Sequence, residues 1–334
     1  MNILGFYVGN RSQNTILLYL TVLLTMILVF LVHRQYYKNN NNRRHEGFVQ
    51  GERFVVRRNL DIYDAFTAQI YDKIYKPKST NQYIFDMVEK LTQSSKTKSV
   101  ILDVGSGTGD LLGYIHQKGY INSFGVDQST GMVEMSLQKY PEIKVKEADL
   151  QKSMTYDKQT FTHIFLTGNT VYHFQDKMNL LRNLYYWLIP NGYLILHVVD
   201  RERFDPIPPS GKPVLVDSVQ SLVEERVTDT IIDFIDFQYK SSYDFNQSKS
   251  KNGGSRISRR TSEGCPEEYE VLFQETFTDA NSHHVRMNEI TLYMEPMDEI
   301  IYMAQSVGFL VHGRIDLKEP MGDPYQYVFV LERS

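Results

Sequence analysis

The fold prediction rests on the stretch Leu102-Asp103-Val104-Gly105-Ser106-Gly107-Thr108-Gly109. It overlaps the apolar run 99–104, which predicts a buried strand, and it precedes residues 111–118, which predict a helix ending at Gly119. Glycines allow a sharp bend and close approach to a ligand without a Cβ clash. The N-terminus of the following helix adds free N–H groups and positive potential. The stretch therefore predicts a ligand site at the carboxyl end of a strand.

Strands and helices alternate on both sides of this bend. Further strands are predicted at 122–126, 143–147, 161–166, 193–199, 309–315 and 325–331. Further helices are predicted at 61–75, 81–91, 129–140, 178–188 and 297–307. Such alternation is typical of an α/β protein, with a mostly parallel sheet and helices on both faces.

The pattern changes after Asp200. Three β segments follow without helices between them, at 228–245, 268–277 and 285–294, so we expect them to pair antiparallel. They predict a β insertion, or cap, over about residues 205–295. Within it, residues 246–267 are polar and rich in Gly and Ser, which predicts a mobile loop.

Two acids follow the next strands along the chain. Asp127 ends one strand and can accept hydrogen bonds from both hydroxyls of a ribose. Asp149 follows the third strand and can accept from an adenine amino group, while Leu150 can pack on the ring. The glycine spacing is G-x-G-x-G, whereas dinucleotide-binding enzymes have G-x-G-x-x-G. This combination favours an adenosine lying across three strand ends.

In these motifs the chain resembles the class I family of methyltransferases that depend on S-adenosylmethionine (SAM). The matching stretches are LDVGSGTG (102–109), GVDQS (125–129), EADL (147–150), HIFLTGNTVYHF (163–174) and PNGYLILHV (190–198). The resemblance implies a Rossmann-like sheet of seven strands, mostly parallel with a reversed last strand. It also implies SAM as the cofactor and methyl transfer as the reaction.

The resemblance further implies which residues bind SAM: Tyr71, Asp103, Gly105, Gly107, Gly109, Asp127, Gln128, Met132, Asp149, Leu150, Thr167 and Gly168. In that family, the glycines line the methionine part and Asp103 helps to hold its ammonium group. Tyr71 and Tyr75 resemble the aromatic lid of small-molecule members, although ordinary core packing explains two tyrosines equally well. The face of a tyrosine ring attracts a cation such as a sulfonium.

Methyl transfer from a sulfonium needs mainly alignment of donor and acceptor. The candidate catalytic residues follow the fourth strand. His173, with Tyr172 beside it, could act as a base near neutral pH; the alternative is a histidine at the surface or a helix edge. The β insertion resembles the cap of small-molecule N- and O-methyltransferases. We therefore expect a small-molecule acceptor, or a lipid-like or membrane-associated one.

Residues 16–32 are uncharged and almost wholly apolar. As a helix they span roughly 25 Å, which predicts a transmembrane segment at the short end of the range and suits a thin, endoplasmic-reticulum-type bilayer. Basic residues concentrate after it, between Arg34 and Arg58, so the catalytic part is expected to face the cytosol. A cleaved signal peptide or a buried helix are the alternatives.

The predicted organisation has four parts. Residues 1–15 form a short tail, 16–32 a transmembrane helix, 33–58 a basic and polar tether, and 59–334 the methyltransferase domain.

Composition limits other functions. The net charge of -4 gives no general attraction to DNA. The single cysteine, Cys265, excludes an intrachain disulfide, and no Cys/His spacing indicates a metal site. Arg256, Arg259 and Arg260 could still dock an RNA or protein acceptor, and a scaffold that does not bind SAM is the remaining alternative.

Overall fold

The computed structural model describes residues 18–31, 52–152, 155–213, 216–245 and 267–334. The chain separates into two units, 1–51 and 52–334. In the first unit, residues 18–31 form a helix (α1). Among the described residues, no helix combines the length and apolar character needed to cross a bilayer. The predicted span over 16–32 is therefore not supported, and the tail over 1–15 lies outside the described residues.

The second unit contains all the strands that the structure describes. They are β1 (Phe54–Arg58), β2 (Ile101–Val104), β3 (Ser123–Asp127), β4 (Lys144–Glu147), β5 (Phe161–Leu166), β6 (Leu188–Val199), β7 (Asp229–Asp233), β8 (Phe237–Asp244), β9 (Glu270–Asp279), β10 (Val285–Tyr293), β11 (Phe309–Asp316) and β12 (Gln326–Arg333). Its helices are α2 (Ala65–Tyr75), α3 (Pro77–Thr92), α4 (Asp110–Gln117), α5 (Thr130–Lys139), α6 (Lys177–Trp187), α7 (Met297–Val307) and α8 (Lys318–Met321).

The larger sheet has seven strands in the order β11-β12-β6-β5-β2-β3-β4. Strands β2 to β6 run parallel, and β12 runs antiparallel to both of its neighbours. The expected α/β sheet with a reversed last strand is thus present. From β2 the chain moves outward through β3 and β4, and then returns to the other side through β5. Such a reversal of strand order leaves a crevice at the carboxyl ends of the strands.

Both faces of this sheet are covered. Leu102 and Val104 belong to the core on the face of α6 and α7, where Trp187 is fully buried. Ile101 belongs to the opposite core with Phe85 of α3, because successive strand residues point to opposite faces. Truncating a buried aromatic such as Trp187 to alanine costs about 3–5 kcal/mol. The sheet is consequently a rigid support for the loops at its carboxyl edge.

The second sheet has five strands in the order β1-β10-β9-β8-β7. Four of these strands form the expected antiparallel insertion between β6 and α7. We refer to this sheet as the cap sheet. The segment predicted over 228–245 is two strands, because the chain turns at 234–236, where the Phe234 N–H bonds to the Phe237 carbonyl. The predicted mobile loop lies outside the described residues except for Glu267.

The tether prediction is wrong where the structure describes it. Residues 54–58 form β1, which pairs parallel with Val285–Glu289 of β10. The arginines of this stretch predicted a solvated segment. They are accommodated because β1 is an edge strand, on which Arg58 pairs with Glu289 at 2.8 Å.

Helix α2 begins later in the sequence than predicted, and helix α3 begins earlier. Residues 59–62 form a 3₁₀ turn, and α2 begins only after Asp64, whose carboxylate accepts the N–H groups of Phe66 and Thr67. Pro77 is the first residue of α3, a position at which the helix does not use the backbone N–H that proline lacks. The chain therefore bends between residues 58 and 65, and this bend faces the site described next.

Candidate active site

A cavity of about 290 Å³ lies at the carboxyl edge of the larger sheet. Ten of the residues singled out from the sequence line it: Tyr71, Gly105, Gly107, Asp127, Gln128, Met132, Asp149, Leu150, Gly168 and His173. They come from the ends of β2 to β5 and from α2 and α5. The tertiary structure thus brings separate sequence segments to one site.

Two glycines of the lining leave room for a ligand. Gly107 has φ +52° and Gly168 has φ +64°, and a Cβ added at either position would meet no atom within 4 Å. Gly105, with φ +70°, has a different constraint, because its Cβ would lie 2.6 Å from Cγ2 of Thr170. A side chain at Gly107 or Gly168 would be strained and would also enter the open space.

Asp127 is fixed by the backbone around it. Its Oδ2 accepts the N–H of Gly107 at 2.9 Å, and its Oδ1 accepts the N–H of Ser129 at 2.9 Å. Burial raises the pKa of this carboxyl, while both hydrogen bonds oppose the rise. Each oxygen keeps a further lone pair, so the carboxylate can still accept two hydroxyl groups. This geometry fits a ribose.

The neighbouring strand end carries the second acid. Oδ1 of Asp149 accepts from Nε2 of Gln128 at 3.2 Å and from the N–H of Gln151 at 2.9 Å. Met132 and Leu150 are buried and line the same part of the cavity. A polar edge between apolar side chains fits the amino edge and the faces of an adenine ring.

Asp103 does not line the cavity. It is 2% exposed, two residues before Gly105. Burial, and then the charge of Asp127, raises the pKa of Asp103 to about 8. A nearby ammonium group would stabilise the ionised form and lower this pKa. The pairing of Asp103 with the ammonium of SAM stays a prediction.

We expect Asp103 to make ligand binding depend on pH. With a pKa of about 8, the carboxyl is mainly protonated near neutrality and must lose its proton to pair with an ammonium. Affinity for S-adenosylhomocysteine should therefore rise between about pH 6 and pH 8, by at most about tenfold per pH unit. Calorimetry in buffers of different ionisation enthalpy would measure the released proton. Asp103→Asn should abolish both effects, and equal slopes in the wild type and this variant would contradict the assignment.

Residues 59–75, which we call the N-terminal segment, contribute Leu60, Tyr63 and Tyr71 to the cavity lining. A Cβ at Gly131 would lie 2.6 Å from the backbone N of Ala65, so only glycine allows this segment to pack against α5. Thr108 Oγ1 donates to Asp72 at 2.6 Å and ties α2 to the glycine loop. Tyr63 and Tyr71 consequently line the same cavity as Gly107.

His173 lines the cavity, but it does not titrate near neutrality. Burial, and then the charge of Lys177, lowers the pKa of His173 to about 4. Its Nε2 lies 3.2 Å from the hydroxyl of Tyr63, and its buried Nδ1 has no hydrogen-bond partner among the described residues. The imidazole is therefore neutral at pH 7 and a weaker base than we expected.

The hydroxyl of Tyr172 is hydrogen-bonded to the backbone at the end of β6. Its hydroxyl accepts the N–H of Val199 at 2.8 Å, and the side chain is fully buried outside the cavity lining. The predicted catalytic role is not supported, because the hydroxyl is committed to the end of β6. Val199 in turn leads into the cap insertion, so Tyr172 helps to fix the junction.

Two further predicted cofactor residues lie outside the lining. Gly109 is the N-cap of α4, and a Cβ there would lie 2.9 Å from side-chain atoms of Ser136 and Ile143, so this glycine allows close helix packing. Thr167 is buried, and its carbonyl accepts from Thr170. The sequence analysis missed five lining residues: Leu60, Tyr63, Gln151, Thr170 and Phe174. Thr170 lay within a matched motif, whereas the bend that places Tyr63 had no signal.

Comparison with known proteins identifies the central segment. Residues 102–196 match the family described as Methyltransferase domain. This segment is similar to methyltransferase domains. Its 95-residue match, about 28% of the chain, covers β2 to most of β6 and most of the cavity lining. The predicted enzyme class and the predicted cofactor, SAM, are thus supported.

Curated relatives resemble the methyltransferase domain over a limited length. Phosphoethanolamine N-methyltransferase 3 of Arabidopsis thaliana is 31% identical over 112 residues, which are 32% of this chain and 22% of the relative. Demethylmenaquinone methyltransferase of Chlorobaculum tepidum is 32% identical over 103 residues, 30% of this chain and 42% of the relative. The match therefore spans less than half of either relative.

Solved structures share the fold over a greater length. An SAM-dependent methyltransferase of Clostridium acetobutylicum has a TM-score of 0.53 at 14% identity and covers 80% of this chain and 98% of its own. An SAM-bound amino pentose methyltransferase of Micromonospora echinaspora has a TM-score of 0.51 at 12% identity, with coverage of 81% and 97%. At these identities the comparison shows the fold alone.

Proposed function

We propose that this chain transfers a methyl group from SAM to a nitrogen atom of a small-molecule amine, within a catalytic domain over residues 59–334. The main support is a single cavity that joins two different linings. One part of the lining consists of the glycine loop, Asp127 and Asp149, which fit an adenosyl donor. Another part includes aromatic side chains and the neutral His173, which fit a small acceptor.

The residues of the chain act mainly by positioning. When bound, SAM supplies an electrophilic methyl group on a sulfonium. Gly107 and Gly168 leave space for the ligand, Asp127 holds the ribose, and Asp103 pairs with the ammonium. Holding donor and acceptor in line is the larger part of the barrier reduction. A neutral amine needs no base before it attacks, so the weak basicity of His173 fits a nitrogen acceptor better than a hydroxyl.

The relatives support the same acceptor class. Phosphoethanolamine and amino pentoses, named for two of the proteins compared above, both carry an amine. A lipid-like or membrane-associated acceptor depended on the predicted membrane span, which the described residues do not support. The cytosolic orientation depended on it as well and stays a prediction. The arginine run proposed for RNA or protein docking lies outside the described residues.

The direct test uses the full chain with SAM labelled in its methyl group. We expect label in primary and secondary amines, identified as N-methyl products by mass spectrometry. Label found only in phenols or RNA would contradict the proposal. Absence of S-adenosylhomocysteine binding would instead favour a scaffold without catalytic function.

We expect the pH dependence of the reaction to lack a histidine step. With a pKa of about 4, His173 keeps one protonation state between about pH 5.5 and pH 8. Replacing His173 with glutamine should lower kcat by a similar factor across this range, and the pH at which the rate changes should not move. A limb of the wild-type profile near pH 6.5 that disappears in His173→Gln would restore the histidine as a general base.

A further inference from the structure

A buried carboxylate lies behind the aromatic side of the cavity. Glu275 on β9 is 4% exposed. Its Oε1 accepts from the hydroxyls of Tyr75 at 2.6 Å and Tyr239 at 3.0 Å, and its Oε2 accepts from Nδ2 of Asn288 at 3.3 Å. Burial raises the pKa of Glu275, and these three donors oppose the rise. All three donate to the carboxylate, so the surrounding structure is built to hold a negative charge.

The side chain of Tyr75 lies between this carboxylate and Tyr71 at the cavity surface. The ring of Tyr71, which lines the cavity, packs 4.8 Å from the ring of Tyr75. The hydroxyl of Tyr75 in turn contacts Glu275. Burial is the main cause of the raised pKa of Tyr63 and Tyr71, and the charge of Glu275 adds to it. In a buried environment the field of such a charge is screened far less than in water.

Two cations near Glu275 and Tyr71 pair with other carboxylates. The guanidinium of Arg286 is the cation whose charge acts on Glu275, and its Nη1 is paired with Asp64 at 2.9 Å. Nε of Arg57 lies 3.8 Å from the same Asp64 carboxylate, so two arginines share it. Lys73, on the same helix as Tyr71, is paired with Asp236 at 2.9 Å. The three hydrogen-bond donors of Glu275 itself are uncharged.

We define the tyrosine wall by five residues between the cavity and Glu275 or beside it: Tyr63, Tyr71, Tyr75, Tyr239 and Tyr243. Tyr63 and Tyr71 line the cavity, and Tyr75 and Tyr239 donate to Glu275. Tyr239 and Tyr243 lie two residues on either side of Ser241, which pairs with Glu275 across β8 and β9. Three of them belong to the N-terminal segment and two to the cap sheet. Their ring faces carry negative potential and attract cations, most strongly where water is excluded. Aromatic faces backed by a carboxylate form an environment that favours an ammonium group over a neutral group of the same shape.

We propose that the tyrosine wall and Glu275 form the acceptor subsite, and that this subsite recognises an amine through its positive charge. The proposal rests on the proposed function. The ammonium form loses a proton to solvent, and the nitrogen lone pair then forms the N–C bond. The S–C bond breaks with its electron pair on sulfur, so the positive charge moves from sulfur to nitrogen. A negative field on the acceptor side stabilises that arriving charge.

Choline and its neutral isostere 3,3-dimethylbutan-1-ol provide the test. Both are titrated calorimetrically into the full chain saturated with S-adenosylhomocysteine. We expect choline to bind at least about tenfold more tightly, in line with a cation–π contribution of 1–2 kcal/mol. Glu275→Gln should reduce this ratio about tenfold or more. The matched control is Glu289→Gln on β10 of the same cap sheet, whose carboxylate pairs with Arg58 and should leave the ratio unchanged.

Several outcomes overturn the inference. Equal binding of the two probes to the wild type is one, and an unchanged ratio in Glu275→Gln is another. A Glu275→Gln variant that binds SAM more weakly but keeps the choline preference would show that the wall serves the sulfonium only. If this variant loses S-adenosylhomocysteine binding and stability, Tyr71→Leu removes a ring face without touching the hydrogen bonds of Glu275. It should lower the ratio about threefold or more, and an unchanged ratio would again reject the subsite.

Failure of the inference can be separated from failure of the proposed function. If the wild type and Glu275→Gln methylate amines with equal kcat/KM, the enzyme is an amine methyltransferase without this subsite. If the wild type methylates no amine but still prefers choline to the isostere, the subsite stands and the proposed reaction fails.

Discussion

Asp127→Asn should raise the dissociation constant for S-adenosylhomocysteine by about a hundredfold or more. Two hydrogen bonds from ribose hydroxyls to a carboxylate contribute about 1.5–3 kcal/mol each. The amide also has only one acceptor atom, whereas Gly107 and Ser129 donate to both oxygens of Asp127. One of these N–H groups would then face an NH₂ group. Isothermal titration calorimetry measures the effect directly.

Glu134→Gln is the matched control for this variant. Glu134 is an exposed acid on α5, the helix that follows Asp127, and its replacement should leave the affinity within about threefold. Thermal unfolding of both variants shows whether the fold is retained. If Asp127→Asn bound S-adenosylhomocysteine with wild-type affinity, the assignment of Asp127 to the ribose would be wrong. The main basis for the proposed orientation of the cofactor would then be lost.

Gly107→Val should abolish detectable binding of S-adenosylhomocysteine. The residue has φ +52°, and the space around its missing Cβ is open cavity. Valine would be unfavourable there for two separate reasons. Its backbone would be strained by about 1–2 kcal/mol, and its side chain would occupy the space of the ligand. We expect an affinity loss of more than about a thousandfold, or more than about 4 kcal/mol, as measured by calorimetry.

Gly119→Ala separates these two penalties. Gly119 also has a positive φ, of +93°, but the nearest atom to its Cβ is Cδ of the flexible Lys96, at 3.6 Å. This variant should lose about 1 kcal/mol of stability and keep its affinity for the ligand. If Gly107→Val still bound the ligand with an affinity near that of Gly119→Ala, the loop would not form the cofactor cradle.

The sequence was informative wherever a local pattern has one structural solution. A glycine bend after a buried strand predicted the loop at Gly105 and Gly107, and both residues have positive φ. Acids at the ends of β3 and β4 were correctly expected to converge, because parallel strands place their carboxyl ends at one edge. The alternation of strands and helices predicted the larger sheet, and the family resemblance implied its reversed last strand.

Local patterns failed where a segment depends on a distant partner. Residues 54–58 have the charges of a solvated tether, but they form a strand because β10 offers an unpaired edge. Tyr172 and His173 are adjacent in the sequence and were both considered catalytic candidates. Burial directs the first toward Val199 and the second into the cavity. No periodicity distinguishes these two environments.

The sequence by itself determined a glycine loop and two acids on consecutive strand ends, to which we assign the methyl donor. Only the tertiary structure decided the surroundings to which we assign the acceptor. Tyr63 and Tyr71 are about 200 residues from Glu275 in the sequence, and they come close to it because the N-terminal segment packs against the cap sheet through Tyr75. The physical reason is that the backbone geometry of a strand end is local, whereas burial and the field of a buried charge depend on every element packed around it.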